Sequence, residues 1–218
     1  MAEKVRLRRK DIKRPDEFIT LTSQAVAWAK EHQQLVTWGG VAAIAIIVAI
    51  GIAAAYRGAR ERDANADLAR AMQTLGANDY AAAASALLDV SSRWDGTGVA
   101  PVAGLLGANA ALRGGDPDKA MAELTRLQAQ SSDWPSYLRQ QLLVAWGLAL
   151  EDKQQWQDAA AKYKDAAALD GPYTSDAMLG EARARERAGE ADRAKALYQQ
   201  VYEQFPDLPS RDLVAAKL

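Results

Sequence analysis

The 218-residue sequence contains no cysteine and a single histidine, His32. The first absence excludes disulfides, thiolate metal sites and a cysteine nucleophile. The second excludes the usual histidine general base and a multi-histidine metal site. No carboxylate pair stands out as an acid/base couple, and the glycine-containing loops lack a P-loop lysine. The sequence therefore predicts no enzyme activity, no metal, no cofactor and no small-molecule substrate.

An excess of charge of either sign is also lacking, because 27 Lys and Arg stand against 28 Asp and Glu. The basic residues cluster near the N-terminus in "KVRLRRKDIKR", whereas the chain beyond residue 57 is mildly acidic. An acidic domain does not neutralise phosphates, so we expect no nucleic-acid partner. The hydrophobic fraction of 49% predicts a folded core.

No charged side chain occurs between Glu31 and Arg57, and residues 35–56 are almost wholly apolar. As a helix this stretch would measure roughly 33 Å, enough to cross a hydrocarbon layer of about 30 Å. We therefore expect a transmembrane helix at 35–56; a cleaved signal peptide and a soluble core helix are the alternatives. The amphipathic rings expected at the membrane interfaces belong to Trp28, Trp38 and Tyr56.

The charges that flank the span predict its orientation. Lys and Arg are denser before the span than after it, which favours a cytoplasmic N-terminus and a C-terminal domain outside the cytoplasm. Residues 1–34 are predicted to be a basic cytoplasmic segment that contacts membrane lipid, with an interfacial amphipathic helix after Pro15. An unstructured basic tail is the alternative for this segment.

Residues 57–218 are rich in helix formers and show no alternating strand pattern, so the domain is predicted to be all-α. Within it, small residues recur at intervals of 35 to 39 residues, at Ala83, Ala120, Ala159 and Ala194. Four positions after each stand Leu87, Leu124, Tyr163 and Tyr198, and twelve positions before each stand Ala71, Ala108, Gly147 and Ala182. This is the period of a helical hairpin.

The pattern resembles the tetratricopeptide repeat family. The best copy runs from Gln141 to Pro172, and its matches to the family's signature are Leu143, Gly147, Leu150, Trp156, Ala159, Tyr163 and Ala166. The resemblance implies an α-solenoid of about four degenerate hairpins, with Leu208 to Leu218 as a capping helix. A non-repeating helical bundle of the same composition is the alternative.

The layout of the whole chain resembles a narrower family, the ancillary subunit of the SecYEG translocon. The likeness lies in a "WAKEH" segment before one span and a "YRGARERDANADLARAM" helix leading into degenerate repeats. It implies a bacterial inner-membrane protein with a periplasmic domain, whose partners are translocon subunits, periplasmic chaperones or secreted chains. The alternatives are a structural scaffold of an envelope or cell-division complex, and a cytoplasm-facing membrane scaffold.

The repeat resemblance further implies a concave groove, lined by the first helix of each hairpin, that receives a partner's peptide. Guanidinium groups in such a groove are able to grip carboxylates. A solvated helix face is the alternative for each charged residue. The residues carried over to this groove are Leu105, Asn109, Leu112, Arg113, Gln141, Leu148, Asp152, Leu179, Arg183 and Arg187.

Overall fold

A computed structural model of the chain describes residues 17–76, 78–169 and 171–218. This described part is helical and contains no strand. The chain divides into two compact units, Met1–Arg57 and Gly58–Leu218. The helices are α1 Glu17–Glu31, α2 Gln33–Leu75, α3 Tyr80–Arg93, α4 Val99–Arg113, α5 Pro117–Gln130, α6 Ser136–Asp152, α7 Trp156–Ala167, α8 Thr174–Arg187, α9 Ala191–Gln204 and α10 Arg211–Ala215.

The first unit contains α1 and the apolar part of α2. Helical hydrogen bonds continue past the break between them, because the His32 amide donates to the Trp28 carbonyl and the Val36 amide to the His32 carbonyl, both at 3.0 Å. The predicted span, residues 35–56, lies entirely within α2. This helix is long and apolar enough to cross a membrane, and its apolar window is not buried at all by the protein.

The α2 helix does not end with the apolar stretch at residue 56. It continues to Leu75, because residues 57–75 contain good helix formers and no proline. The last part of α2, from Gly58 onward, belongs to the second unit, and its Ala64 is fully buried there. The Trp94 indole N–H donates to the Asp67 carboxylate at 2.9 Å, and the Gly98 amide donates to Glu61 at 2.9 Å. The end of α2 therefore serves as the first helix of a hairpin with α3.

The second unit is a solenoid of helical hairpins. The helix α4 pairs with α5, α6 with α7 and α8 with α9. The end of α2 shares a core cluster with α3, to which Ala71 and Leu87 both belong. The predicted repeat register is confirmed, since the small residues Ala83, Ala120, Ala159 and Ala194 are 0–2% exposed. The large residues that follow them, Leu87, Leu124, Tyr163 and Tyr198, are buried too. Small side chains let paired helices approach closely, and the larger ones fill the space toward the next hairpin.

Each hairpin turns through one residue with a positive φ, five positions before its small residue. These residues are Asn78 (58°), Gly115 (76°), Gln154 (60°) and Gly189 (83°). In three of the turns the next amide reaches back to the carbonyl five residues earlier, at 2.9 Å for Asp116 to Ala111, Gln155 to Leu150 and Glu190 to Arg185. A left-handed residue of this kind ends a helix by satisfying its last carbonyls.

The short α10 helix closes the solenoid, as predicted. Val214 is 3% exposed and packs with α8 and α9 residues. The Arg211 guanidinium lies 3.7 Å from the centre of the Tyr202 ring, and Lys217 forms an ion pair with Glu186 at 2.7 Å. The helix is shorter than the predicted Leu208 to Leu218, because residues before it form turns in which the Arg211 amide donates to the Leu208 carbonyl.

Candidate partner-binding groove

The first helices of successive hairpins line a concave surface, hereafter the groove. One apolar section of the groove, hereafter the first cavity, has a volume of about 480 Å³ and lies between α4, α6 and α8. Burial dictates which side chains can face it, because the opposite side of each helix packs against the second helices of the hairpins. The predicted residues that line this cavity are Leu105, Asn109, Gln141, Leu148, Leu179 and Arg183.

A neighbouring cavity of about 540 Å³ extends the groove toward the end of α2. Leu106, Asn109 and Leu148 line both cavities, so the two form one surface. The predicted residues Leu112, Arg113 and Asp152 belong to this second part. Arg187 lies in the last turn of α8, is exposed and lines neither cavity. The structure thus brings together all of the predicted groove residues except Arg187.

The basic residue of the first cavity, Arg183, is held by a carboxylate. Its Nε lies 3.2 Å from both oxygens of Glu151 and its Nη2 lies 3.1 Å from Oε1, which is a two-point contact. Burial lowers the pKa of Arg183, but the hydrogen bonds and charge of Glu151 raise it by more. The guanidinium that was expected to grip a partner's carboxylate is therefore already paired within the chain.

Tyr163 forms the floor beneath this ion pair. Its hydroxyl lies 3.4 Å from Arg183 Nη2, and the side chain is only 1% exposed. Burial, and then the nearby charge of Glu151, raise the pKa of Tyr163. Its ring packs directly on two glycines: a Cβ atom at Gly147 of α6 or at Gly180 of α8 would lie 2.6 Å from Tyr163 Cε1. The absence of side chains at these two positions therefore lets the aromatic ring fit.

At the other end of the groove, Arg113 also has a partner within the chain. Its guanidinium carbon lies 5.9 Å from the centre of the Tyr80 ring, within cation–π range. Asp152 lines the same cavity, so a carboxylate accompanies this cation as well. Between the two ends the lining is mainly apolar, and Val102 and Leu148 are each 36% exposed.

A buried amide, Gln140, fixes the loop that leads into α8. Gln140 is fully buried; its Nε2 donates to the Leu169 carbonyl and to Thr174 Oγ1, both at 3.0 Å, while its Oε1 accepts from the Tyr173 amide at 2.8 Å. Tyr173 in turn lines the groove, where its hydroxyl accepts a hydrogen bond from Gln141. Gln140 therefore positions one wall of the groove from behind.

Several groove residues were missed at the level of sequence. Val102, Val144 and Asp176 line the first cavity, and Glu151 lies beneath it. A signal for the valines existed, because each lies three or four positions from a predicted residue on the same helix. Glu151 also lies three positions from Leu148 on α6, but its pairing with Arg183 offered no such signal, since Arg183 lies one repeat away in the sequence. Within the described residues, no cluster of acidic or histidine side chains is close enough to hold a metal ion.

The residues predicted for the membrane interfaces all lie on the first unit and are exposed. Trp28, Trp38 and Tyr56 are 52%, 73% and 64% exposed, respectively. The Trp28 ring stacks on His32 with ring centres 4.8 Å apart. Exposed rings at these positions leave their N–H and O–H groups available to headgroups or water.

Comparison with known proteins agrees with this geometry. A family profile described as "Tetratricopeptide repeat-like domain" matches residues 26–137. Among solved structures, the "kinesin light chain nearly identical TPR-like repeats" of Podosopora anserina superposes with a TM-score of 0.61 at 19% identity, covering 73% of this chain and 84% of that one. A single-substitution variant of that protein gives a TM-score of 0.62 at 18% identity with the same coverage. No curated protein sequence matches the chain.

Proposed function

Since the chain belongs to the tetratricopeptide repeat-like domain family, we propose that its second unit binds a segment of a partner protein in the groove. The observation that supports the proposal is the continuous apolar surface formed by the first helices, with Leu106, Asn109 and Leu148 common to both of its cavities. Grooves in which several helices present apolar side chains beside a few polar groups suit peptide segments. This function needs no chemistry from the chain.

The proposal extends to a membrane anchor. Residues 35–56 lie in a helix of sufficient length, with side chains such as Ile47 (68% exposed) that the described part of the chain leaves uncovered. Hydrocarbon would cover these side chains, and residues 1–34 would lie at the cytoplasmic side. Anchoring raises the effective concentration of the groove beside other membrane proteins.

In its most specific form, the proposal makes the chain an ancillary subunit of a bacterial Sec translocon. The repeat domain would then lie in the periplasm, where chaperones and secreted chains are the candidate partners. The support is the order of segments, with one span followed by a helix that leads into degenerate repeats and a short final helix.

A pull-down with matched variants tests the partner and the site together. Leu148→Asp introduces a charge into the groove at a partly exposed position, so the fold should survive. Ala122→Asp places the same charge on an exposed position of α5 that lines neither groove cavity. After purification in mild detergent, translocon subunits or secreted chains should accompany the wild type and Ala122→Asp, but not Leu148→Asp. Equal recovery with both variants would exclude the groove, and a single stoichiometric envelope protein would favour a scaffold.

Topology is tested by thiol labelling, which the absence of native cysteine makes direct. Asp207→Cys lies on an exposed turn of the second unit. It should react in intact cells with an impermeant maleimide once the outer membrane is permeabilised, whereas Ala2→Cys should react only after lysis. The opposite pattern would place the repeat domain in the cytoplasm.

A further inference from the structure

We propose that the groove selects an uncharged apolar segment of its partner, and that Glu151 enforces this choice by occupying Arg183. The inference rests on the proposed function of the groove. It assigns a specificity-determining role to Glu151. This residue would not contact the partner itself but would act through the Arg183 guanidinium above it.

The first support is the depth of the ion pair. Glu151 is 15% exposed at its side chain and Arg183 is 45% exposed, so the carboxylate lies below and the guanidinium above, toward the groove. The Glu151 oxygens take Nε and Nη2, one of the two edges through which a guanidinium holds a carboxylate in a planar, two-point contact, and the Tyr163 hydroxyl lies 3.4 Å from Nη2 as well. A carboxylate from a partner would have to use the remaining edge, formed by Nη1 and Nη2, and would share Nη2 with these two groups.

The second support is the charge that remains after this pairing. Asp176 lines the first cavity beside Arg183, and no Asp176 side-chain ion pair occurs in the part of the chain that the structure describes. With Glu151 below and Asp176 on the wall, the carboxylates outnumber the single cation that this section of the groove contains. An acidic partner would meet repulsion in this section.

The third support is the character of the remaining surface. Leu105, Val144 and Leu179 line the same cavity as Arg183, and Val102 and Leu148 present more than a third of their surface to solvent. Covering these side chains with apolar groups removes them from water, which stabilises the complex. An uncharged segment obtains this gain without the desolvation cost that a carboxylate would add.

A pair of peptides tests the selection on the full-length protein in detergent. One is an end-blocked, fluorescent peptide of alternating leucine and serine, and the other carries glutamate in place of each serine. Fluorescence anisotropy should show that wild type binds the leucine–serine peptide more tightly. Glu151→Gln keeps the shape of the side chain but frees Arg183, so it should tighten binding of the glutamate peptide by about fivefold, as expected for a partly exposed ion pair.

Two further variants make the result specific. Asp118→Asn removes an ion pair with Lys153 at an exposed position outside the groove, and it should leave the preference unchanged. Adding Arg183→Gln to Glu151→Gln should remove the gain for the glutamate peptide. If wild type binds neither peptide, the proposed function fails for these sequences. If wild type binds the glutamate peptide as tightly as the leucine–serine peptide, or if Glu151→Gln leaves the affinity for the glutamate peptide unchanged, the groove binds a partner but Glu151 does not determine its specificity.

Discussion

The contact between Gly147 and Tyr163 gives a stability prediction whose size follows from the structure. An alanine Cβ at position 147 would lie 2.6 Å from both Cε1 and Cζ of Tyr163 and 2.8 Å from Cδ1, which is too close for any non-bonded contact. The ring cannot simply withdraw, because it is 1% exposed and also packs on Gly180 of α8, where an added Cβ would likewise lie 2.6 Å from Cε1. Overpacking of this kind costs about 1–3 kcal/mol, whereas alanine gains about 1 kcal/mol in helix propensity.

We therefore expect Gly147→Ala to lower the free energy of unfolding by up to about 2 kcal/mol, and the melting temperature by up to roughly 8 °C. Gly58→Ala is the matched control, since it lies in α2 with nothing within 4 Å of the added Cβ, and it should stabilise by about 0.5–1 kcal/mol. Urea titrations followed by far-ultraviolet circular dichroism, in the same detergent, measure both. Equal effects of the two substitutions would show that Tyr163 does not press on Gly147 as described.

Three other perturbations follow from the geometry. Gln140→Leu should cost about 1–3 kcal/mol, because it leaves the Tyr173 amide without its acceptor, and hydrogen exchange should report faster exchange at Tyr173 than at the distant hairpins. Gln154→Gly should raise the free energy of unfolding by about 0.5–1 kcal/mol by relieving a left-handed conformation at φ 60°, measurable by urea titration. Hydrogen bonds from Lys217 and then from Tyr198 hold the pKa of Glu186 below its usual value, so their stabilisation is present at neutral pH and is lost as the pH falls below about 4. Amide protection factors in α10, which remove the intrinsic pH dependence of exchange, should fall over that range in wild type, and should be low at every pH in Glu186→Gln.

Periodicity made the repeat register predictable from the sequence. Each hairpin requires a small residue where its two helices approach closely. The sequence therefore contains a small residue at the same repeat position four times, at Ala83, Ala120, Ala159 and Ala194. The groove residues on the first helices follow from this register, because residues three and four positions apart share a helix face. Arg187 lies four positions after Arg183, but it does not line the groove because it is at the C-terminal end of α8.

Contacts between repeats produce no comparable periodic pattern in the sequence. Gln140 is polar, and a polar residue in an amphipathic helix is ordinarily expected at the surface, yet here it is fully buried and bonded to the α7–α8 loop. Glu151 and Arg183 were each compatible with a solvated helix face. Only the packing of α6 on α8 shows that Glu151 and Arg183 form an ion pair, in which the carboxylate neutralises the charge of the guanidinium. The electrostatics of the groove therefore depend on tertiary packing.

Site-specific photocrosslinking tests most directly whether the groove is the surface that holds a partner. A photoreactive benzoylphenylalanine at Leu148 lies in both cavities, whereas the same residue at Ala122 lies on the exposed side of α5. Irradiation of living cells should give discrete higher-mass adducts at Leu148 that are absent at Ala122 and that disappear when Leu179→Asp is added. Adducts at Ala122 alone, or adducts at Leu148 that persist with Leu179→Asp, would contradict partner binding in the groove.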